Sequence, residues 1–299
     1  MDRARLKTEI RDLLELVLCP MLGALGPLRL GHGLMKCLAH WGRLYPVPVE
    51  RAVDGARRRG WLPSSEVEQR QWIWQRRLTT LIDHADLYLG STRSDRWMRH
   101  CMDVEGEWPA PGQAAVLCTF HWGAGMWGLR HAHAHGLRPH ALVAALEGAH
   151  FKGRRVLHTY AKWRTAAVAR ALGRPTMDVS VSLRPAIKAL RQGEQVLAAI
   201  DVPADQVAAT ETVMLAGMPA KVPRGLLRLA VDQKVPVYVY VTGFDPKTGR
   251  RFLRIVPLGV HEDVSGLVQQ VFAQLDALIQ ASPPAWHFWG EADRFFRET

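Results

Sequence analysis

Residues 114–126 read AAVLCTFHWGAGM, and this stretch decides the fold. Ala114 to Phe120 is an apolar run of strand length. It ends on His121 and on the glycines Gly123 and Gly125, where the backbone can turn sharply. A helical pattern then runs from Met126 to His135. A strand that feeds straight into a helix is the first half of a βαβ unit.

The same alternation continues toward the C-terminal side. Ala141 to Leu146 (ALVAAL), Gln195 to Ile200 (QVLAAI) and Val235 to Val241 (VPVYVYV) read as further strands. Leu253 to Leu258 (LRIVPL) reads as an edge strand, because Pro257 has no N–H to donate. Helical patterns cover Lys152 to Leu172, Ser182 to Arg191, Arg224 to Asp232 and Val264 to Gln280. Strands alternating with helices predict an α/β fold with a largely parallel central sheet flanked by helices.

The texture differs before Pro109. Leu13, Leu14, Val17 and Leu18 have helical spacing, and Pro63-Ser64-Ser65 opens a long apolar-periodic run through Leu89. Ser64 or Ser65 suits the cap, Glu66 and Glu68 suit the first turn, and Gly90 is the expected stop. Residues 1–108 therefore read as a helical N-terminal region of the same fold, suited to membrane association. Residues 109–299 read as the α/β core. Trp72, Trp74 and Trp97 are expected in core or interface positions rather than at a ligand.

The chain has 299 residues, 48% of them hydrophobic and 22% charged, which is a globular mix. Lys and Arg number 39 against 28 Asp and Glu, for a net charge of +11. That field favours acidic partners: nucleic acid, anionic lipid or an acidic carrier protein. The basic residues are dispersed, and no helix-turn-helix, zinc or RNP pattern supports nucleic acid. Cys19, Cys37, Cys101 and Cys118 form no CxxC pair, which suits a reduced, cytoplasmic chain. The apolar stretch Leu16 to Leu28 spans 13 residues and holds two prolines. A spanning helix needs about 20 apolar residues, so attachment to a membrane would be peripheral.

In a parallel sheet, ligands bind beyond the carboxyl ends of the strands. His121, Glu147 and Asp201 each follow such an end, so they are expected on one rim. His121 beside a helix N-terminus is placed to act as a general base, with orphan N–H groups to hold an oxyanion. The plain alternative is a buried histidine satisfied by backbone. His131 and His135 share a helix face, but no HExxH glutamate lies beside them, and no metal is assigned. Arg154, Arg155, Lys162 and Arg164 form a basic cluster suited to carrier-protein acids or coenzyme A phosphates. Lys221 and Arg224 flank Pro223 at a helix start and suit an anion.

Phe120-His121-Trp122-Gly123-Ala124-Gly125 resembles the His-(x)4-Asp/Glu block of the bacterial lipid A biosynthesis (late) acyltransferases. These belong to the lysophospholipid acyltransferase-like superfamily. The similarity continues through Arg164 and Gly173 in WRTAAVARALG, Gly193 to Asp201 in GEQVLAAID, and Gly217-Met218-Pro219-Ala220 with Gly225. It ends with Pro284, Trp286 and Arg294 in PAWHFWGEADRFF. The resemblance implies an acyltransferase with a thioester donor on acyl carrier protein or coenzyme A and no further cofactor. It implies a hydroxyl acceptor on a glycolipid and work at the cytoplasmic face of the inner membrane. His121 would deprotonate the acceptor, with Trp122, Gly123, Met126, Arg164, Lys221 and Arg224 contacting substrate. Met126 stands where the family has its carboxylate. Three readings follow: Glu147, Asp201 or Glu211 replaces that carboxylate from across the rim; the acceptor is an easier nucleophile, an amine or phenol; or the chain has lost catalysis and binds acyl chains or carrier protein. Asp205 competes with Asp201 for the family's strand-end aspartate.

Overall fold

A computed structural model describes residues 3–144, 151–180 and 182–296. Strands β1 (Met102–Glu105), β2 (Ala115–Thr119), β3 (His140–Val143), β4 (Met177–Asp178), β5 (Gln195–Ala199), β8 (Val237–Phe244) and β9 (Arg251–Gly259) form one sheet. Their order is β1-β9-β8-β2-β5-β3-β4. The run from β8 to β4 is parallel, while β8 and β9 pair antiparallel as a hairpin. The fold is α/β, with a mostly parallel seven-stranded sheet and a helical N-terminal region among the described residues.

β2 is buried on both faces, which is why its sequence is an unbroken apolar run. Val116, Cys118 and Phe120 enter one buried cluster; Ala115 and Leu117 enter the other. That is the two-residue period of a strand. β8 divides in the same way, with Val237, Val239 and Val241 on the first side and Tyr240 on the second. The first face is covered by α9 (Arg184–Arg191), α10 (Gly225–Asp232) and α11 (Val264–Ala281). α7 (Met126–Ala134) and α8 (Arg155–Leu172) cover the second.

The N-terminal region contributes α1 (Arg3–Leu13), a π-helical turn (Leu14–Leu18), α2 (Cys19–Ala24), α3 (Leu28–Ala39), α4 (Pro46–Arg58), α5 (Glu66–Thr92) and α6 (Asp95–His100). α5 touches both clusters, through Leu78, Leu81, Ile82 and Ala85 and then through Leu87 and Leu89. It begins after Ser65, as its capping sequence predicts, but runs through Gly90 to Thr92. Arg130 of α7 donates to the Gly90 and Arg93 carbonyls at 2.6 and 2.7 Å, which supports the extra turn. A fully buried ion pair joins α5 to the sheet: Arg251 Nε lies 2.9 Å from Asp86. The Arg251 guanidinium also sits 5.1 Å from the Trp127 ring.

Some elements depart from the sequence reading. The sheet begins before Pro109, because β1 pairs in parallel with β9 over Arg251–Arg254. β9 is therefore covered along that half, and Pro257 falls in the half that β1 does not reach. The hairpin of β6 (Thr210–Leu215) and β7 (Met218–Pro223) stands apart from the main sheet. It turns on Ala216 and Gly217, both with positive φ (53° and 75°). This is the left-handed pair that a two-residue hairpin needs.

Candidate active site

β2 and β5 pair in parallel, with Thr119 beside Ala199. Two residues further on, the same register places His121 next to Asp201. The Asp201 carboxylate is fully buried and takes three kinds of donor. His121 Nδ1 lies 2.9 Å from Oδ1, and the His121 backbone N–H donates at 2.8 and 3.0 Å. The Trp286 indole N–H donates to Oδ2 at 3.1 Å. A carboxylate oxygen accepts, so Nδ1–H is the donor and Nε2 is the ring nitrogen that does not face Asp201. The His121 side chain is 42% exposed, whereas its partner is 0% exposed. The imidazole edge meets the Phe288 ring at 4.7 Å.

The loop beyond β2 is held by the segment 285–287, which runs antiparallel to it. Gly123 N–H donates to Ala285 O at 3.1 Å, and His287 N–H donates to His121 O at 2.8 Å. Gly123 has φ +68°, and a Cβ there would lie 2.5 Å from Thr242 O. The glycine is needed both for the turn and for the close approach of β8. Ala124 N–H donates to Thr242 O at 3.0 Å. The amides of Gly123 and Ala124 thus hold the loop to its neighbours, and the helix that follows begins at Met126.

No protein-family model matches this chain, and no curated protein matches it. The site is therefore interpreted from its own geometry.

Glu147, the other candidate carboxylate, lies outside the described residues. The Glu211 carboxylate pairs with Arg224 at 3.2 Å, and Asp205 pairs with Arg294 at 2.8 Å. Asp201 is the carboxylate on His121 among the described residues. Met126 is buried at the start of α7, in the cluster on the opposite side of the sheet from Phe120 and Trp122. It lines a cavity of ≈ 470 Å³ with Arg93, Arg130 and Arg170, away from His121. Trp122 is also buried, against Phe252 at 6.1 Å. It does not wall an open cleft. An apolar groove of ≈ 470 Å³ lies elsewhere, between α1, α5 and α8, with Leu13, Val17, Tyr88, Tyr160 and Trp163 in its walls.

Two of the expected anion contacts already hold carboxylates. Arg164 pairs with Asp83 at 2.9 Å. Burial would raise the Asp83 carboxyl, but Arg164 and the neighbouring His287 and His84 hold it well below the usual range. Arg224 is engaged by Glu211, and Lys221 points outward from the β6–β7 hairpin. His131 Nδ1 accepts from the Trp108 indole at 2.9 Å, a structural role. Among the described residues, no group of three His, Cys, Asp or Glu side chains is disposed to hold a metal.

Two residues at the site have no counterpart among the sequence candidates. His287 Nε2–H donates to Gly123 O at 2.8 Å, while Arg76 Nη2 donates to His287 Nδ1 at 3.2 Å. Burial, and then the Arg76 charge, push the His287 pKa down to about 3, so the ring is neutral. Arg76 Nη1 donates to the carbonyls of Pro284 and Trp286 at 3.2 and 3.0 Å. A histidine embedded in PAWHFWGE was the available signal for His287. Arg76 sits mid-helix and carried none.

Proposed function

We propose that the protein is an acyltransferase that moves an acyl group from a thioester on acyl carrier protein or coenzyme A to a hydroxyl or amine acceptor. The observation that carries this reading is the His121–Asp201 pair at the carboxyl end of two neighbouring parallel strands. Nε2 of His121 takes the proton of the acceptor O–H or N–H as that atom attacks the thioester carbonyl. The tetrahedral intermediate expels the thiolate as its C–S bond breaks. The imidazolium returns the proton to the sulfur. Asp201 is the positioning residue: it fixes the tautomer and stabilises the imidazolium. A chain that only bound acyl groups would have no use for an oriented, half-exposed imidazole on a buried carboxylate. Asp201 also answers the Met126 departure, because the acid comes from β5 instead of α7.

The apolar groove between α1, α5 and α8, which His121 does not line, offers a place for an acyl chain. No helix among the described residues is long and apolar enough to cross a membrane. Leu6, Ile10 and Leu13 on α1 share a helix face and are exposed, as are Leu22, Leu25 and Leu30. Arg3, Arg5, Lys7 and Arg29 are exposed in the same region. These features support peripheral attachment to an anionic membrane surface, and the reading places it at the cytoplasmic face of an inner membrane. The test is transfer of a radiolabelled acyl group from acyl carrier protein or coenzyme A by the purified protein. Transfer that survives His121→Ala unchanged would sink the mechanism.

A further inference from the structure

Arg76 lies 4% exposed in the middle of α5. Its Nη atoms donate to carbonyls and to His287, its Nε–H has no partner, and it forms no carboxylate ion pair among the described residues. Asp83 acts on it only at a distance and pairs with Arg164 instead. A desolvated guanidinium without an anion is costly. The protein does not bury this charge against solid core. Arg76 lines a cavity of ≈ 250 Å³ that Arg11, Arg51 and Arg154 also line.

The balance of charge in that cavity is positive. Arg11 and Arg51 make no ion pair among the described residues, while Arg154 is shared with Asp12 at 2.6 Å. The carboxylates facing the cavity are Glu15 and Glu291. Glu291 is already engaged by Arg294 at 3.0 Å. Glu15 accepts from the Tyr45 backbone N–H at 2.8 Å, and burial raises its pKa, which weakens it as a counter-ion. The arginines come from separate stretches of chain: α1, α4, α5 and the residue before α8. Converging guanidiniums, with their planar forks of N–H donors, match the oxygens of phosphate. The space is too small and too polar for an acyl chain.

We infer that the cavity at Arg76, Arg11, Arg51 and Arg154 is a binding site for the phosphate of a phosphate mono- or diester. Its position gives it a use. His287 lines the cavity and joins it to the loop of His121: its ring meets Arg76, and its backbone N–H meets the His121 carbonyl. The site stands without the acyl-transfer reading. With that reading, its ligand is the phosphate of the donor's phosphopantetheine arm or that of a phosphorylated acceptor.

Titration calorimetry on the full chain with inorganic pyrophosphate tests the site without any requirement for turnover. The wild-type protein is expected to bind it. Arg76→Gln should weaken binding at least tenfold, and the double variant Arg11→Gln, Arg51→Gln should weaken it several-fold. Those two arginines lie at the rim, so the double variant decides the question if Arg76→Gln does not fold. No binding to wild type at millimolar pyrophosphate, or equal binding by wild type and the double variant, would overturn the proposal. The source of the phosphate is read by competition. Displacement of pyrophosphate by phosphopantetheine but not by pantetheine assigns the donor. Displacement by a hexose 1-phosphate but not by the hexose assigns the acceptor. Failure of pyrophosphate binding leaves the His121 mechanism standing, and failure of acyl transfer leaves this site standing.

Discussion

Trp286 and His121 meet on one carboxylate: the indole donates to Oδ2 of Asp201 and the imidazole to Oδ1. Trp286 is itself fully buried, against Trp289 at 5.2 Å and Phe295 at 5.4 Å. The acid is thus fixed by an aromatic cluster before it fixes the base.

Asp201→Asn should lower acyl transfer by about 100- to 10,000-fold while leaving binding of the donor close to wild type. The amide can still accept from the His121 backbone, but it does not stabilise an imidazolium as a carboxylate does. The pH–rate profile supplies the reading that a purely structural role would not move. If the profile and rate of Asp201→Asn equal those of wild type, the aspartate is not coupled to the base.

Trp286→Phe keeps the ring packing and removes one donor from a buried carboxylate. Loss of a hydrogen bond to a charged group costs about 1.5–3 kcal/mol, visible as a lower midpoint in urea unfolding. Unchanged stability would mean that the indole N–H is not a working partner of Asp201.

Met126→Glu puts a carboxylate where the motif that this segment resembles carries one, yet the rate should not rise. The side chain at 126 enters the space beside Arg93 and Arg130 rather than the one beside His121. The double variant Asp201→Asn, Met126→Glu should be as slow as Asp201→Asn alone. Rescue in a single-turnover assay would show that position 126 reaches the imidazole.

His84 and His287 have pKa values pushed down to about 4 and about 3, burial being the first cause for each. Unfolded histidine titrates near 6.5, so below that pH the unfolded chain binds protons that the folded chain refuses. Their stabilising contribution is complete above pH 6.5 and declines as pH falls toward 4. The slope is about 1.4 kcal/mol per pH unit for each histidine. Urea midpoints at pH 7 and pH 5 check this, and His287→Gln should flatten the difference.

Gly123→Ala should destabilise the chain by about 1–3 kcal/mol and slow turnover together. The added Cβ meets backbone atoms of Thr242 and Gly243 rather than a yielding side chain. A variant with wild-type melting temperature and rate would contradict the positive φ assigned to this residue.

The strand ends were legible because each apolar run stops on a polar residue: Phe120 before His121, Ile200 before Asp201. What the sequence does not carry is which strand lies beside β2. β5 occupies that place although β3 and β4 come between them in the chain, and local patterning is silent about pairing. Arg76 and His287 were hidden for a related reason: Arg76 meets His287 across 211 residues of sequence, and His287 meets Gly123 across 164. Arg164 and Arg224 were legible as basic residues, but the carboxylates they pair with were not: Asp83 and Glu211 stand 81 and 13 residues away in the chain. The β6–β7 hairpin went unread because Ala216 takes the left-handed conformation usually left to glycine or asparagine.

The pairing of 121–123 with 285–287 sets a schedule. Translation delivers His121, then Asp201, and reaches Ala285 to His287 only after β9 and α11 have been made. Until then the carboxylate lacks its indole donor and the loop lacks its outer strand, and only the β2–β5 register holds His121 beside Asp201. The site is therefore completed in one late step, after every strand of the sheet has been made.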